Sequence, residues 1–147
     1  MDGVEFHTGL ADPLAFACRL LRKAQRQGHR LLVTASAQRL AELDALLWTF
    51  EPQSFVPHVR MPGAPDAVTA RTPIWLCEAV PAGPVPTVLL NLGAAAPATL
   101  GPFERVIELV SHDVDEAQAG RERWRAYKAQ GLGIVHYPAS AVGGARD

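Results

Sequence analysis

The residues best suited to chemistry lie between positions 121 and 128, where three of the four cations share a helix face with a tryptophan. On a helix, Arg121, Trp124, Arg125 and Lys128 occupy positions i, i+3, i+4 and i+7 and share one face. Guanidinium groups donate paired hydrogen bonds to carboxylates or phosphates, and the indole supplies an apolar wall. A solvated helix face with a tryptophan at its rim would have the same composition. The functional interpretation is a site for an anionic partner with an aromatic element, either an acidic peptide ending in an aromatic residue or single-stranded nucleic acid.

A second candidate surface is aromatic and lies between positions 48 and 58. Trp48 and Phe50 end an apolar helical pattern, and Phe55 begins the run Phe-Val-Pro-His that continues through Val56, Pro57 and His58. Phe50 is expected in the core. Loops normally run over the protein surface, so Trp48 and Phe55 are expected to form an exposed apolar patch of the kind that anchors protein interfaces.

Catalytic, cofactor and metal sites are not predicted. The chain lacks GxGxxG, GxxxxGK[ST] and GxSxG, the signatures of dinucleotide binding, phosphate-binding loops and serine nucleophiles. Glu5 and His7 share one face of a strand, but two ligands do not make a metal site. The polar cluster at residues 112–116 precedes a helix, where acidic side chains favour the positive end of the helix dipole, so capping is preferred to metal binding.

Composition defines the class of protein. Fourteen Lys and Arg residues against fifteen Asp and Glu residues leave a net charge of −1 over 147 residues, which excludes a generally polybasic nucleic-acid binder. No apolar run approaches the roughly 20 residues of a membrane span, and the N-terminus does not resemble a signal peptide. Cys18 and Cys77 lie in apolar surroundings and are expected to be buried thiols. We therefore expect a cytoplasmic protein with one domain over residues 1–138 and a frayed tail over residues 139–147.

Strand and helix patterns alternate along the chain and predict a three-layer α/β fold. Asp12 followed by Pro13 starts a helix that ends before Gly28, Ser36 caps a second helix, and Asp113 or Asp115 opens a third that runs to Gly131. Ten of the twelve prolines lie between positions 52 and 102, which excludes long helices there. Strands are expected at residues 4–7, 30–35, 74–80, 87–92, 105–110 and 133–137. This order favours a mostly parallel sheet with helices on both faces.

The sequence resembles the chi subunit of bacterial DNA polymerase III holoenzyme. The resemblance is carried by the opening strand Val-Glu-Phe from position 4, by Leu-Asp-x-x-Leu-Trp from position 43, by Ser-Phe-Val-Pro-His from position 54, and by Arg-Glu-Arg-Trp-Arg-Ala-Tyr-Lys-x-x-Gly from position 121. It covers nearly the whole chain, and its last two motifs are the most specific. The resemblance implies a Rossmann-like domain without a nucleotide site and a non-catalytic accessory subunit of the clamp loader.

The resemblance also implies two binding surfaces. One would bind the acidic C-terminal tail of single-stranded-DNA-binding protein, which ends in Pro-Phe, and it corresponds to Val110, Arg121, Trp124, Arg125 and Lys128. The other would bind the psi subunit, which links chi to the clamp loader, and it corresponds to Trp48, Phe55, Val56, Pro57 and His58. No cofactor is implied.

Two other functions are alternatives to a clamp-loader adaptor. The basic and aromatic helix could bind single-stranded DNA directly, although the near-neutral charge and the lack of several stacking aromatics on one sheet argue against it. An uncharacterised hydrolase or nucleotide enzyme would require a polar pocket at the carboxyl ends of the strands with a nucleophile and a base. The sequence shows no candidate pair of that kind.

Overall fold

The computed structural model describes residues 3–49 and 56–139. Over these residues the chain forms seven strands and four helices in the order β1 (Val4–Leu10), α1 (Pro13–Arg26), β2 (Leu31–Thr34), α2 (Ala37–Thr49), β3 (His58–Arg60), α3 (Asp66–Arg71), β4 (Ile74–Cys77), β5 (Val88–Asn91), β6 (Arg105–Ser111), α4 (Val114–Ala129) and β7 (Ile134–Pro138). The predictions for Phe50, for Phe55 and for residues 140–147 of the tail lie outside the described residues.

The strands form a single sheet in the order β3-β4-β2-β5-β6-β1-β7, and every pairing between neighbours is parallel. One face of the sheet packs against α1 and α2, which bury Phe16, Leu21, Leu40, Leu43 and Leu47. The opposite face packs against α4, which buries Tyr127 and partly buries Trp124. The predicted three-layer α/β fold is therefore confirmed, and a parallel sheet of this kind needs helices on both faces because both are apolar.

Local capping signals start the helices where the sequence predicts. The backbone nitrogen of Ala15 donates to Oδ1 of Asp12 over 3.1 Å, and Pro13 is the first helical residue. The backbone nitrogen of Arg39 donates to Oγ of Ser36 over 3.2 Å. Asp113 caps α4, which resolves the choice that the sequence left between Asp113 and Asp115. Each cap satisfies backbone donors that have no partner within the helix.

Two elements in the proline-rich middle were not predicted. β3 pairs with β4 at the edge of the sheet, and α3 is a helix of six residues. Both are short and only partly buried, so neither has the hydrophobic period that identifies an element from sequence. β1 is longer than predicted because it continues past an irregularity between His7 and Leu10 to pair with the end of β6. Gly9 lies within this irregularity at a φ of +69°, a conformation that glycine adopts readily.

Both cysteines are buried free thiols, as predicted. The main-chain nitrogen of Ala139 donates to the carbonyl oxygen of Thr8 over 2.9 Å. The first residue of the predicted tail therefore extends the pairing of β7 with β1 by one hydrogen bond. In the described segments, none of the helices combines the length and apolar character required to cross a membrane.

Candidate functional site

A cleft of about 450 Å³ lies between α4 and the carboxyl ends of β1, β6 and β7. Because all the strands are parallel, their carboxyl ends meet at one edge of the sheet, where α/β proteins commonly bind ligands. The first half of α4 forms one wall, and the three strand ends form the other. The lining residues are Phe6, Thr8, Gly9, Val110, Ser111, His112, Ala117, Gly120, Arg121, Trp124 and His136.

Small residues bring α4 close to the sheet at the base of the cleft. A Cβ atom at Gly120 would lie 2.8 Å from Cγ1 of Val110, which is closer than non-bonded carbon atoms approach each other in proteins. Glycine at this position therefore allows the helix to lie directly against β6. Ala117, one turn earlier on α4, also carries only a methyl group into the cleft lining. The helix and the strand are therefore in direct contact at Gly120, and this contact forms the base of the cleft.

The cleft has an apolar floor. Phe6 and Val110 are buried, and Trp124 is half-buried with its ring centroid 5.0 Å from that of Phe6. The planes of these two rings are tilted by 48°, a favourable arrangement for an aromatic pair. Trp124 therefore packs partly against the hydrophobic core between α4 and the sheet and partly lines the cleft. Its exposed part offers an aromatic or aliphatic group of a ligand a surface on which to pack.

Three side chains with nitrogen donors lie around this floor. Arg121 is exposed and donates through Nη2 to Oε1 of Gln118 over 2.8 Å. His112 follows β6, and His136 lies on β7 with its Nε2 2.6 Å from Oγ1 of Thr8. No carboxylate is present among the residues that line the cleft within the described part of the chain. The arrangement is therefore suited to a ligand that carries negative charge beside an apolar group.

Arg125 and Lys128 are exposed on α4 and do not line the cleft. Their helical spacing from Arg121 and Trp124 places them on the same side of α4, beyond the indole. Of the five residues predicted for the tail site, Val110, Arg121 and Trp124 thus meet in one cleft. The remaining two extend its positive charge along the helix surface.

Arg123 has a different environment although it lies between residues of the predicted site. It is buried, and its Nε donates to Oε1 of Glu108 over 2.9 Å. The hydroxyl of Tyr127 and the amide of Asn91 donate to Oε2 of the same carboxylate over 2.7 Å and 2.9 Å. Three donors therefore compensate a fully buried carboxylate and fix the rotation of α4 on the sheet.

Burial dominates the protonation of this network. Desolvation raises the pKa of Glu108, while Arg123 and the donors from Tyr127 and Asn91 act in the opposite direction. Burial and the neighbouring carboxylate also raise the pKa of the Tyr127 hydroxyl. This network was not predicted. The only sign of it in the sequence of β6 is the single carboxylate of Glu108 within an apolar run. A charged residue in a buried strand requires a partner, and the sequence alone does not identify it.

The aromatic surface contains one exposed anchor. Trp48 is 61% exposed on the last turn of α2, and its ring centroid lies 5.6 Å from that of His58. The side chain of His58 is itself buried, with Nε2 2.6 Å from Oδ1 of Asp44 and Nδ1 2.7 Å from the carbonyl oxygen of Val56. Val56 is in the core and Pro57 is half-buried. The imidazole of His58, fixed by these hydrogen bonds, supports the Trp48 ring.

The hydroxyl of Thr8 and the imidazole of His136 are also arranged like a nucleophile and its general base. In such arrangements a third group orients the base through its other nitrogen. Within residues 3–49 and 56–139, no hydrogen bond reaches Nδ1 of His136, and these residues contain no group of three or more potential metal ligands. The cleft is thus better equipped to bind an anion than to activate the threonine hydroxyl.

Comparison with known proteins gives consistent matches over most of the chain. A family model described as DNA polymerase III chi subunit, HolC, matches residues 1–135. DNA polymerase III subunit chi of Pseudomonas aeruginosa is 38% identical over 136 residues, which cover 89% of this chain and 92% of that protein. The proteins of the same name from Haemophilus influenzae and Escherichia coli are 30% identical over 122 residues and 24% identical over 127 residues. They cover 80% and 86% of this chain, and 81% and 85% of their own length, respectively.

Proposed function

The chain belongs to the DNA polymerase III chi subunit family, and from this premise we propose that it is a non-catalytic adaptor in DNA replication. Its cleft would bind the acidic C-terminal tail of single-stranded-DNA-binding protein, which ends in Pro-Phe. A second surface would attach it to the clamp loader through the psi subunit. The observation that carries the first part is the cleft, which combines an apolar floor with positive charge and has no carboxylate among its described lining residues.

The chemistry of the cleft matches both parts of such a tail. The terminal phenylalanine ring would pack on Val110 and Trp124, where apolar area is removed from water on both partners. Arg121 would donate paired hydrogen bonds to a carboxylate of the tail, since the guanidinium geometry suits that group. Arg125 and Lys128 would attract the acidic residues before the terminal Pro-Phe. Because these two cations are exposed, their contribution falls as salt screens it.

A weak and rapidly reversible complex is expected. Only a few side chains hold the tail, and the ordering of a flexible peptide opposes binding. A dissociation constant in the micromolar range, about −8 kcal/mol of binding free energy, follows from these opposing terms. Such an affinity suits an adaptor that must release and rebind single-stranded-DNA-binding protein as the replication complex moves.

Titration of a fluorescent acidic peptide ending in Pro-Phe tests the tail site. Arg121→Ala and Trp124→Ala should each weaken binding at least tenfold without unfolding the chain. Arg26→Ala provides a matched control, because Arg26 is an exposed helical arginine at the end of α1, outside the cleft. Unchanged affinity in both cleft variants would contradict the site. Tighter binding of an oligonucleotide than of the peptide at equal salt would favour direct DNA binding instead.

The psi surface would be centred on Trp48. An exposed tryptophan at the end of a helix is a typical interface anchor, and His58 holds its ring from one side. The proposed surface also includes the next residues predicted for it, Phe55, Val56 and Pro57. Val56 is buried, so it would support the surface from the core and would not contact psi.

Co-purification of the chain with a psi subunit tests this second surface. Trp48→Ala should reduce complex formation, whereas Val68→Ala, which truncates an exposed apolar residue on α3, should not. Peptide binding at the cleft should survive in both variants. Retention of the full complex by Trp48→Ala would exclude Trp48 as the anchor.

A further inference from the structure

His136 lines the cleft from β7, and the proposed function gives it no contact with the tail. It lies on the edge strand β7, while Arg121 belongs to α4, so the two side chains approach the cleft from different elements. Its Nε2 is held by Thr8 over 2.6 Å. The imidazole ring lies 5.1 Å from the indole of Trp124, with the two planes 87° apart. Two contacts therefore fix an exposed histidine in one orientation.

The second nitrogen of this imidazole, Nδ1, makes no hydrogen bond within the described residues. It is therefore available to a group from outside the chain. The charged or titratable side chains lining the cleft with it are Arg121 on α4 and His112 after β6, and β1 contributes the neutral Thr8. Arg121 carries a permanent positive charge, which favours an anion in the cleft.

We propose that His136 is a further ligand-binding residue of the cleft, which donates from β7 to a carboxylate of the bound acidic peptide. This inference rests on the proposed function of the cleft. In the tautomer with its proton on Nδ1, the imidazole accepts the Thr8 hydroxyl at Nε2 and can donate to the ligand from Nδ1. The contact of its ring with Trp124 holds it beside the apolar floor on which the terminal phenylalanine would pack.

The proposal predicts that removal of the His136 imidazole weakens binding of the acidic peptide. Only one hydrogen bond to a carboxylate is lost, and the cleft keeps Arg121 and its apolar floor. For one partly exposed hydrogen bond, the affinity should fall about fivefold.

Two substitutions separate the hydrogen bond from the packing of the ring. His136→Phe keeps a ring beside Trp124 but removes both nitrogens, and His136→Gln removes the ring but keeps a hydrogen-bond donor. Anisotropy titrations with the acidic peptide ending in Pro-Phe would be made at one pH and constant ionic strength. His29→Gln, which removes an exposed histidine outside the cleft, is the matched control, and His112→Gln measures the contribution of the neighbouring imidazole.

The expected result is that His136→Phe binds about fivefold more weakly than wild type. His136→Gln should keep most of the affinity, and His29→Gln should bind like wild type. Unchanged affinity in His136→Phe, or an equal loss in His29→Gln, would overturn the role of His136 while leaving the cleft as the tail site. No binding by wild type would overturn the proposed function and this inference together. Thermal unfolding of each variant verifies that it is folded.

Discussion

Replacement of Gly120 by alanine tests the close contact between α4 and β6 that shapes the cleft. The added Cβ would lie 2.8 Å from Cγ1 and 3.0 Å from Cγ2 of Val110. These methyl groups cannot move aside easily, because Val110 is buried and its β-branched side chain is restricted in χ1. The substitution must therefore shift the helix or the strand.

Two opposing free-energy terms decide the effect of Gly120→Ala on stability. Alanine is favoured over glycine in a helix by about 1 kcal/mol, while overpacking of a well-packed core costs roughly 1–3 kcal/mol. The contact involves restricted methyl groups rather than the end of a flexible side chain, so we expect overpacking to prevail. The free energy of unfolding should fall by about 1 kcal/mol, which urea denaturation can measure.

A double-mutant cycle assigns this loss to the contact. Once Val110→Ala has removed both methyl groups, Gly120→Ala should become stabilising by up to about 1 kcal/mol, giving a coupling of about 2 kcal/mol. Ala126→Gly, at an exposed position of α4, measures the helix-propensity term by itself. The close contact would be refuted if Gly120→Ala stabilised the chain as much as Ala126→Gly destabilised it, with no coupling to Val110.

Two further predictions concern buried polar groups. Arg123→Met should lower the free energy of unfolding by about 3 kcal/mol at pH 7, because it leaves the buried carboxylate of Glu108 without its cation. This loss, measured by urea denaturation, should shrink toward pH 5, since burial raises the pKa of Glu108 and a protonated carboxyl needs no cation; a loss independent of pH would contradict this explanation. Burial raises the pKa of Cys18 and Cys77 to about 11, so a thiol reagent at pH 8 should label neither until urea unfolds the chain. Stability should fall as the pH rises from about 9 toward 11, because only the unfolded thiols ionise readily there; rapid labelling of the folded protein would show that the thiols are accessible.

Local signals made much of the fold predictable. Asp12, Ser36 and Asp113 act on backbone nitrogens only two or three residues away, so the starts of three helices can be identified from short stretches of sequence. The alternation of strand and helix patterns indicated the parallel sheet, because parallel strands need crossovers. β3 and α3 escaped prediction because both are short and neither has a hydrophobic pattern of its own; β3 is held by its pairing with β4.

The candidate site was predictable only in part. The spacing of Arg121 and Trp124 indicated a shared helix face without any knowledge of the fold. The same spacing did not reveal that Arg123 is buried against Glu108. Arg121 and Arg123 belong to the same motif and differ only in the side of the helix on which they lie. Which side of α4 meets the sheet depends on its packing against β6.

The α/β fold class, the helix starts and the basic, aromatic character of α4 can be inferred from the sequence, since they depend on neighbours a few residues apart. Only the tertiary structure shows that Thr8 and His136 join Val110 and α4 in one cleft. Thr8 and His136 are 128 positions apart, and they touch because β1 and β7 are adjacent in the sheet. Pairing between distant strands is governed by the energy of the whole sheet rather than by local preference, so no local pattern records it.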